Sequence, residues 1–113
     1  MGVDLMGRGS CNFNWSGWRW CLRVAREFGW TPVGTLAPRD FKGEWCGTYY
    51  SNDEQEVSEA DAFALAAALE EAVDYIRNRQ PLTAGQISAL DDGNSELLLQ
   101  LAKYASGGRF WLI

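Results

Sequence analysis

Histidine is absent from the 113 residues of this chain. Its absence removes the commonest general base in enzymes, the commonest zinc ligand and every pair in which histidine activates a serine or cysteine nucleophile. The sequence also carries no other recognisable catalytic motif. We therefore expect a protein that is not an enzyme and that binds no cofactor.

Cysteine is scarce and is poorly spaced for metal binding. The three cysteines are Cys11, Cys21 and Cys46, and no two of them have the C-x-x-C spacing. Structural zinc sites usually contain closely spaced pairs of cysteine or histidine. The spacing therefore predicts reduced thiols and no metal site, with Cys21 as a small core residue on the apolar face of a helix.

Long apolar runs and excess positive charge are also missing. No stretch approaches the ~20 apolar residues that a membrane span needs, and residues 1–10 lack the apolar segment of a signal peptide. The net charge of −5 argues against broad electrostatic binding to nucleic acid or to an anionic membrane. These features predict a cytoplasmic protein that contacts neither nucleic acid nor membrane.

The residues that are present suit one domain over residues 1–113, because hydrophobic residues make up 47% of the chain and a single domain commonly has this length. Apolar residues at helical spacing predict three helices, over residues 16–28, 59–78 and 95–105.

The starts of these helices carry capping signals. Asn14 or Ser16 can cap the first helix, and Ser58 with Asp61 resembles a capping box at the start of the second. The second helix has the clearest buried stripe, and its members are Ala62, Leu65, Ala66, Leu69, Ala72, Val73 and Ile76.

Three segments are predicted to form strands, namely residues 2–6, 45–50 and 109–113. Residues 31–36 are interrupted by proline and glycine and suit an edge strand or an irregular segment. Residues 82–94 are predicted to be a connector that ends in a turn at residues 91–94. The order of these elements predicts an α+β fold, with a small antiparallel or mixed sheet packed against two or three helices.

Three segments together resemble a pattern found in small bacterial proteins that have no established activity. They are residues 29–35 (GWTPVGT), 47–53 (GTYYSND) and 57–66 (VSEADAFALA). The resemblance covers roughly residues 2–76. It implies a bacterial or phage protein of the cytoplasm and brings no catalytic residues with it. The pattern has glycine after Asp53 where this chain has Glu54, so the turn at this point is expected to differ.

Tryptophan is unusually frequent. Six occur, and four of them lie between residues 15 and 30. Trp15, Trp18 and Trp111 fit a core, because they lie on a helical stripe or in an apolar strand. Trp20 lies about 200° around the first helix from Trp18, at 100° per residue, and so leaves the apolar stripe. A core role and an interface role are both open for Trp20.

Charge is divided unevenly along the chain. Residues 1–50 carry six basic and four acidic residues, a net charge of +2, whereas residues 51–113 carry four basic and eleven acidic residues, a net charge of −7. Arg19, Arg23 and Arg26 share one stripe of the first helix.

The second helix is predicted to present an acidic face to solvent. Phe63 lies on this face, among Glu59, Glu70, Glu71 and Asp74. An exposed aromatic side chain ringed by acids is suited to anchor a basic protein partner. The alternative is an ordinary solvated face, with Phe63 covered by the preceding loop.

The leading hypothesis is a small cytoplasmic protein that acts by binding another protein. One form of it is an inhibitor of immunity-protein or phage anti-defence type that sets its acidic face against a basic enzyme or toxin. A first alternative is a small-ligand-binding or enzymatic domain built from the Trp/Tyr-rich N-terminal half, with Tyr49 and Tyr50 beside Ser51 as pocket walls. A second alternative is a self-associating structural subunit, such as a homodimer that buries Trp20.

Overall fold

The computed structural model describes residues 2–45, 47–51, 54–90 and 95–113. Within these residues the chain forms four strands and four helices, which confirms the predicted α+β fold. In chain order they are β1 (Gly2–Met6), β2 (Ser10–Asn14), α1 (Trp15–Glu27), β3 (Gln55–Val57), α2 (Glu59–Asn78), α3 (Ala84–Leu90), α4 (Ser95–Ala105) and β4 (Phe110–Leu112).

The strands form one antiparallel sheet in the order β2-β1-β4-β3. β1 and β2 make a hairpin in which Gly2 lies opposite Asn14 and Met6 opposite Ser10. β4, from the end of the chain, lies between β1 and β3. The sheet therefore joins both halves of the sequence through a strand of three residues.

Alternate residues of the strands face the core. Val3, Leu5 and Phe13 are buried, whereas Asp4 and Asn12 between them are exposed. The buried strand residues join the buried faces of the helices in one hydrophobic cluster. The strands predicted over residues 2–6 and 109–113 are confirmed, and β2 was missed.

Helix α1 begins and ends as its sequence predicts, to within one residue. The Asn14 side chain accepts a hydrogen bond of 2.7 Å from the Gly17 N–H. Gly29 follows the helix with φ +98°, a left-handed conformation that glycine adopts readily. The buried stripe includes Trp18 and Cys21, as predicted.

Helix α2 has the predicted bounds, but two details of its sequence interpretation are wrong. Ser58 Oγ accepts from the Asp61 N–H at 3.3 Å, as a cap should. In a capping box the Asp61 carboxylate would accept a hydrogen bond from the backbone N–H of Ser58. Here the carboxylate is buried and accepts from aromatic side chains, including Trp30 Nε1. Ile76 is 38% exposed, because the last turn packs through Tyr75, whose ring contacts that of Phe28 at 5.3 Å.

Residues 31–36 form an irregular segment, which was one of the two expectations for them, whereas the strand predicted over residues 45–50 does not form in the described part of that range. In the described part of this region, Leu36 makes the single isolated bridge, to Glu56. Side-chain hydrogen bonds hold the region where a strand ladder was expected, and Trp45 Nε1 donates to the Thr35 carbonyl at 2.8 Å. Two short elements, β3 and α3, were missed. The turn predicted over residues 91–94, and Cys46, lie outside the described residues.

Candidate functional site

A buried polar network fixes the long segment between α1 and β3 against the start of α2. Asp61 is 2% exposed, and its carboxylate accepts from Trp30 Nε1 at 2.9 Å and from the Tyr49 hydroxyl. The Gly34 N–H donates to the same hydroxyl oxygen at 2.9 Å, and Trp18 Nε1 donates to the Tyr49 carbonyl at 2.8 Å. Tyr49 therefore connects the segment to both α1 and α2.

A second buried side chain continues the network. Gln55 Oε1 accepts from the Thr35 hydroxyl and from the Tyr49 N–H, while Gln55 Nε2 donates to the Ser51 carbonyl at 2.6 Å. Tyr49 itself has φ +67°, a strained value for a bulky residue. The strain is tolerated because several hydrogen bonds determine its position.

The protonation state of the network, like its geometry, suits a structural role. Burial, then the hydrogen bond to Asp61 and the negative charge of that carboxylate, raise the pKa of Tyr49 well above its ordinary value of 10.0. The phenol therefore stays protonated and donates to Asp61 at neutral pH. The chemistry fits a locked loop, and Tyr49 lines the shallow groove beside Tyr50 as a fixed, protonated wall.

The acidic face of α2 is exposed as predicted. This name denotes Glu59, Phe63, Glu70, Glu71 and Asp74. The four acids are exposed, and Phe63 is 47% exposed. The preceding loop therefore leaves about half of the ring open to solvent. One edge of the ring lies near Gly108, where an added β-carbon would be 3.9 Å from Phe63 Cζ.

The two ends of the acidic face differ in their surroundings. Glu59 lines a shallow pocket of about 270 Å³ together with Arg8, Arg109 and Trp111. The lining of this pocket therefore carries more positive than negative charge. Glu70 and Asp74, about three and four turns further along α2, are the acids best placed to give the face its negative potential.

Trp20 lies against α3. It is half-buried, and its indole Nε1 donates to the Ala89 carbonyl at 2.6 Å. This contact gives Trp20 a structural role in joining α1 to α3. The sequence could not reveal the role, because α3 itself was not predicted.

Two surface features were missed by the sequence interpretation. The first is a groove between the arginine stripe of α1 and Tyr50. The second is an apolar patch on the outer face of the sheet. The arginine stripe was visible in the sequence, but its pairing with Tyr50 depends on the irregular segment and carried no sequence signal.

The outer face of the sheet carries exposed apolar side chains next to the acids Asp4 and Glu56. Met6 lies opposite Trp111 in the register of β1 and β4. Trp111 also lines a groove of about 710 Å³ with Leu36 and Ile113, and both of these side chains are exposed. Arg109 lies over the Trp111 ring at 5.5 Å from its centroid.

The described residues hold no group of three or more Cys, Asp or Glu side chains placed to bind a metal. The absence of bound metal stays a prediction, which elemental analysis of the purified protein checks. Among the helices of the described ranges, none is long and apolar enough to cross a membrane. No protein-family model, curated protein or solved structure matches the chain.

Proposed function

We propose that the chain acts by binding another protein through the acidic face of α2, and that the partner is basic. The observation that carries the proposal is the half-exposed ring of Phe63 on a helix whose neighbouring positions are exposed acids. An inhibitor of immunity-protein or anti-defence type, acting on a basic enzyme or toxin, is the form of this function that we favour.

The geometry of α2 supports this role. Its opposite side is fixed in the core through Leu65, Leu69 and Val73, so Phe63 is presented on a rigid element. A rigid anchor loses little conformational freedom on binding. The acids around it contribute steering and specificity, since charges at the rim of an interface act mainly on the association rate.

Site-directed photo-crosslinking tests the proposal in the cells from which the chain derives. We replace Phe63 with p-benzoylphenylalanine in the full chain and identify the crosslinked proteins. The matched control carries the same group at Ile87, an exposed position on α3. We expect a basic protein to crosslink from position 63 and not from position 87.

A charge-reversed version of the probe provides the second arm. Glu70→Lys together with Asp74→Lys, added to the position-63 probe, is expected to reduce the crosslink strongly. The proposal fails if both probe positions capture the same proteins, or if the captured protein is acidic and is unaffected by the two reversals.

A second candidate function is self-association through the outer face of the sheet. The groove around Trp111 on this face is lined by Arg39 and Arg109 and by Glu54 and Glu56, together with apolar side chains. Equal numbers of both charges suit a two-fold contact, in which the basic side of one copy meets the acidic side of the other. The patch formed by Leu36, Trp111 and Ile113 would supply the buried centre.

Sedimentation equilibrium of the full chain distinguishes this candidate. Self-association predicts a dimer mass that Leu36→Asp returns to that of the monomer. Val33→Asp is the matched control, since Val33 is exposed and does not line the groove around Trp111. A monomer at millimolar concentration would contradict self-association.

A further inference from the structure

The groove beside α1 concentrates positive charge in an acidic protein. It has a volume of about 610 Å³ and is lined by Arg19, Arg23, Arg26, Glu27 and Tyr50. Three arginines against one glutamate give its charged lining an excess of two positive charges, although the whole chain carries −5. The volume lies in the usual range for small-molecule sites, about 300–1,000 Å³.

Two of the arginines are held in place by neutral groups. The Arg19 guanidinium lies over the Tyr50 ring at 5.9 Å from its centroid. Arg23 Nη2 donates to Ser88 Oγ at 3.2 Å. These contacts restrict the side chains without neutralising their charge. Binding of an anion would therefore cost less side-chain conformational entropy, because these guanidinium groups are already partly ordered.

The one acid in the groove is directed toward α3. A β-carbon added at Gly85 would lie 2.6 Å from Glu27 Oε2, so the carboxylate packs against the first turn of α3. The Glu27 carbonyl also accepts from Gln86 Nε2 at 3.1 Å. The Glu27 carboxylate therefore packs against α3, and the three arginines determine the net charge of the groove.

A second groove extends the site beyond the arginine row. It has a volume of about 510 Å³, and it shares Arg26 and Tyr50 with the first groove. Its remaining walls come from the segments 32–34 and 47–49. The buried network around Asp61 and Gln55 fixes these walls, so the extended groove is a built feature of the fold.

We propose that these two neighbouring grooves together bind a small organic phosphate. The phosphate group lies on the row formed by Arg19, Arg23 and Arg26, because guanidinium groups bind phosphate oxygens through paired, charge-assisted hydrogen bonds. The organic part extends past Tyr50 toward the apolar wall at Pro32 and Val33. This site is separate in its residues from the acidic face of α2, so either proposal can fail without the other.

The size and charge of the groove favour a small molecule over a nucleic acid strand. A strand needs a basic track over several phosphates, whereas the described groove offers three arginines in a protein of net charge −5. A ribonucleotide and a sugar phosphate both have the required chemistry. Titration with ADP and with glucose 6-phosphate distinguishes these two classes of ligand.

Isothermal titration calorimetry of the full chain tests the proposal with four probes: ADP, glucose 6-phosphate, inorganic pyrophosphate and citrate. We expect saturable binding of ADP or of glucose 6-phosphate, and the tighter of the two identifies the organic part. Pyrophosphate should bind more weakly, because it lacks contact with the apolar wall. Citrate, whose carboxylates also pair with guanidinium groups, should likewise bind more weakly than the better organic phosphate, because it makes no contact with the apolar wall.

Variants assign the binding to the groove. Arg23→Gln is expected to weaken the better organic phosphate tenfold or more, and Tyr50→Ala is expected to weaken it by a larger factor than it weakens pyrophosphate. Lys103→Gln makes the same change in charge outside the groove and should leave binding unchanged. Thermal melting of each variant confirms that it remains folded.

Three results would overturn the proposal. The first is the absence of saturable binding by both organic phosphates. The second is equal weakening by Arg23→Gln and by Lys103→Gln, which would show general charge attraction. The third is binding of citrate or pyrophosphate as tight as that of the better organic phosphate.

Discussion

At the scale of single residues, the irregular segment depends on a few buried polar groups. Asp61 was predictable as part of a helix start, because Ser58 precedes it at capping distance. Its use as the acceptor for Trp30 and Tyr49 was not predictable, since these donors lie 31 and 12 residues away in sequence. A local pattern identifies a cap, whereas a buried acceptor is recognised only when distant donors have been brought to it.

Glu54 is a second residue whose backbone conformation is apparent only in the structure. Its φ is +67°, in the left-handed region that glycine adopts most easily. Glu54 carries a β-carbon that disfavours this conformation, so its surroundings must hold it there. The Glu54 N–H donates to the Leu112 carbonyl at 2.9 Å, which holds the backbone in this conformation.

The first prediction follows from that strain. Glu54→Gly is expected to raise the free energy of unfolding by about 0.5–1 kcal/mol, because it removes the β-carbon that disfavours positive φ. Urea denaturation measures the change. Glu54→Ala is the control, since it removes the charge and keeps the β-carbon. An equal gain in both variants would assign the effect to charge.

The second prediction concerns alkaline pH. Burial raises the pKa of the Cys21 thiol from 9.0 to about 12, and the pKa of Tyr49 is raised above its ordinary 10.0. Both groups are protonated in the folded chain at pH values where the unfolded chain ionises. Their contribution to stability is therefore complete below pH 9 and is lost as the pH rises.

Stability is expected to fall above pH 9 by about 1.4 kcal/mol per pH unit for each such group. Urea denaturation from pH 7 to 11 measures the slope. In Cys21→Ala, the slope between pH 9 and 10 should become shallower, because Tyr49 begins to contribute only near pH 10. An unchanged slope in that interval would contradict the assignment to Cys21.

At the scale of elements, helices α1, α2 and α4 were predictable because each is long enough to repeat its apolar period and is bounded by caps or glycine. The short elements were not. β3 has three residues, one of which is the buried Gln55, so its core position looks polar in the sequence. α3 has seven residues, of which Ala89 alone is buried. Elements of this size are defined by their neighbours.

The third prediction uses the buried stripe of α2. Leu69→Ala is expected to lower the free energy of unfolding by about 2–5 kcal/mol, because the side chain is fully buried. Ile76→Ala, on the same stripe but 38% exposed, is expected to cost less than about 1 kcal/mol. Equal losses in both variants, measured by urea denaturation, would show that the helix phase is misassigned.

At the scale of the whole molecule, the distribution of charge was predictable and the strand order was not. Counting along the chain separated a basic first half from an acidic second half. The position of β4 between β1 and β3 depends on a pairing over more than 100 residues, since Leu5 lies opposite Leu112. The same separation in sequence hid the apolar patch around Trp111, which appears only when the sheet is assembled.

The fourth prediction tests whether the acidic face steers a partner. Glu70→Lys with Asp74→Lys is expected to slow association with the protein captured at position 63 by about tenfold or more at low salt, and to flatten the dependence of the rate on salt. Asp40→Lys with Glu44→Lys makes the same change in net charge away from α2. Equal slowing in both double variants, measured by stopped flow, would show that the effect arises from net charge and not from the acidic face.

We propose that Phe63 is a binding anchor, and the variant Phe63→Ala tests this role directly. Phe63→Ala is measured both for its free energy of unfolding and for its dissociation rate from the captured partner. The account predicts a loss of stability of about 1 kcal/mol or less, because half of the ring is already exposed, together with dissociation faster by about tenfold or more. A loss of stability above about 2 kcal/mol with an unchanged dissociation rate would contradict the claim and make Phe63 a structural residue.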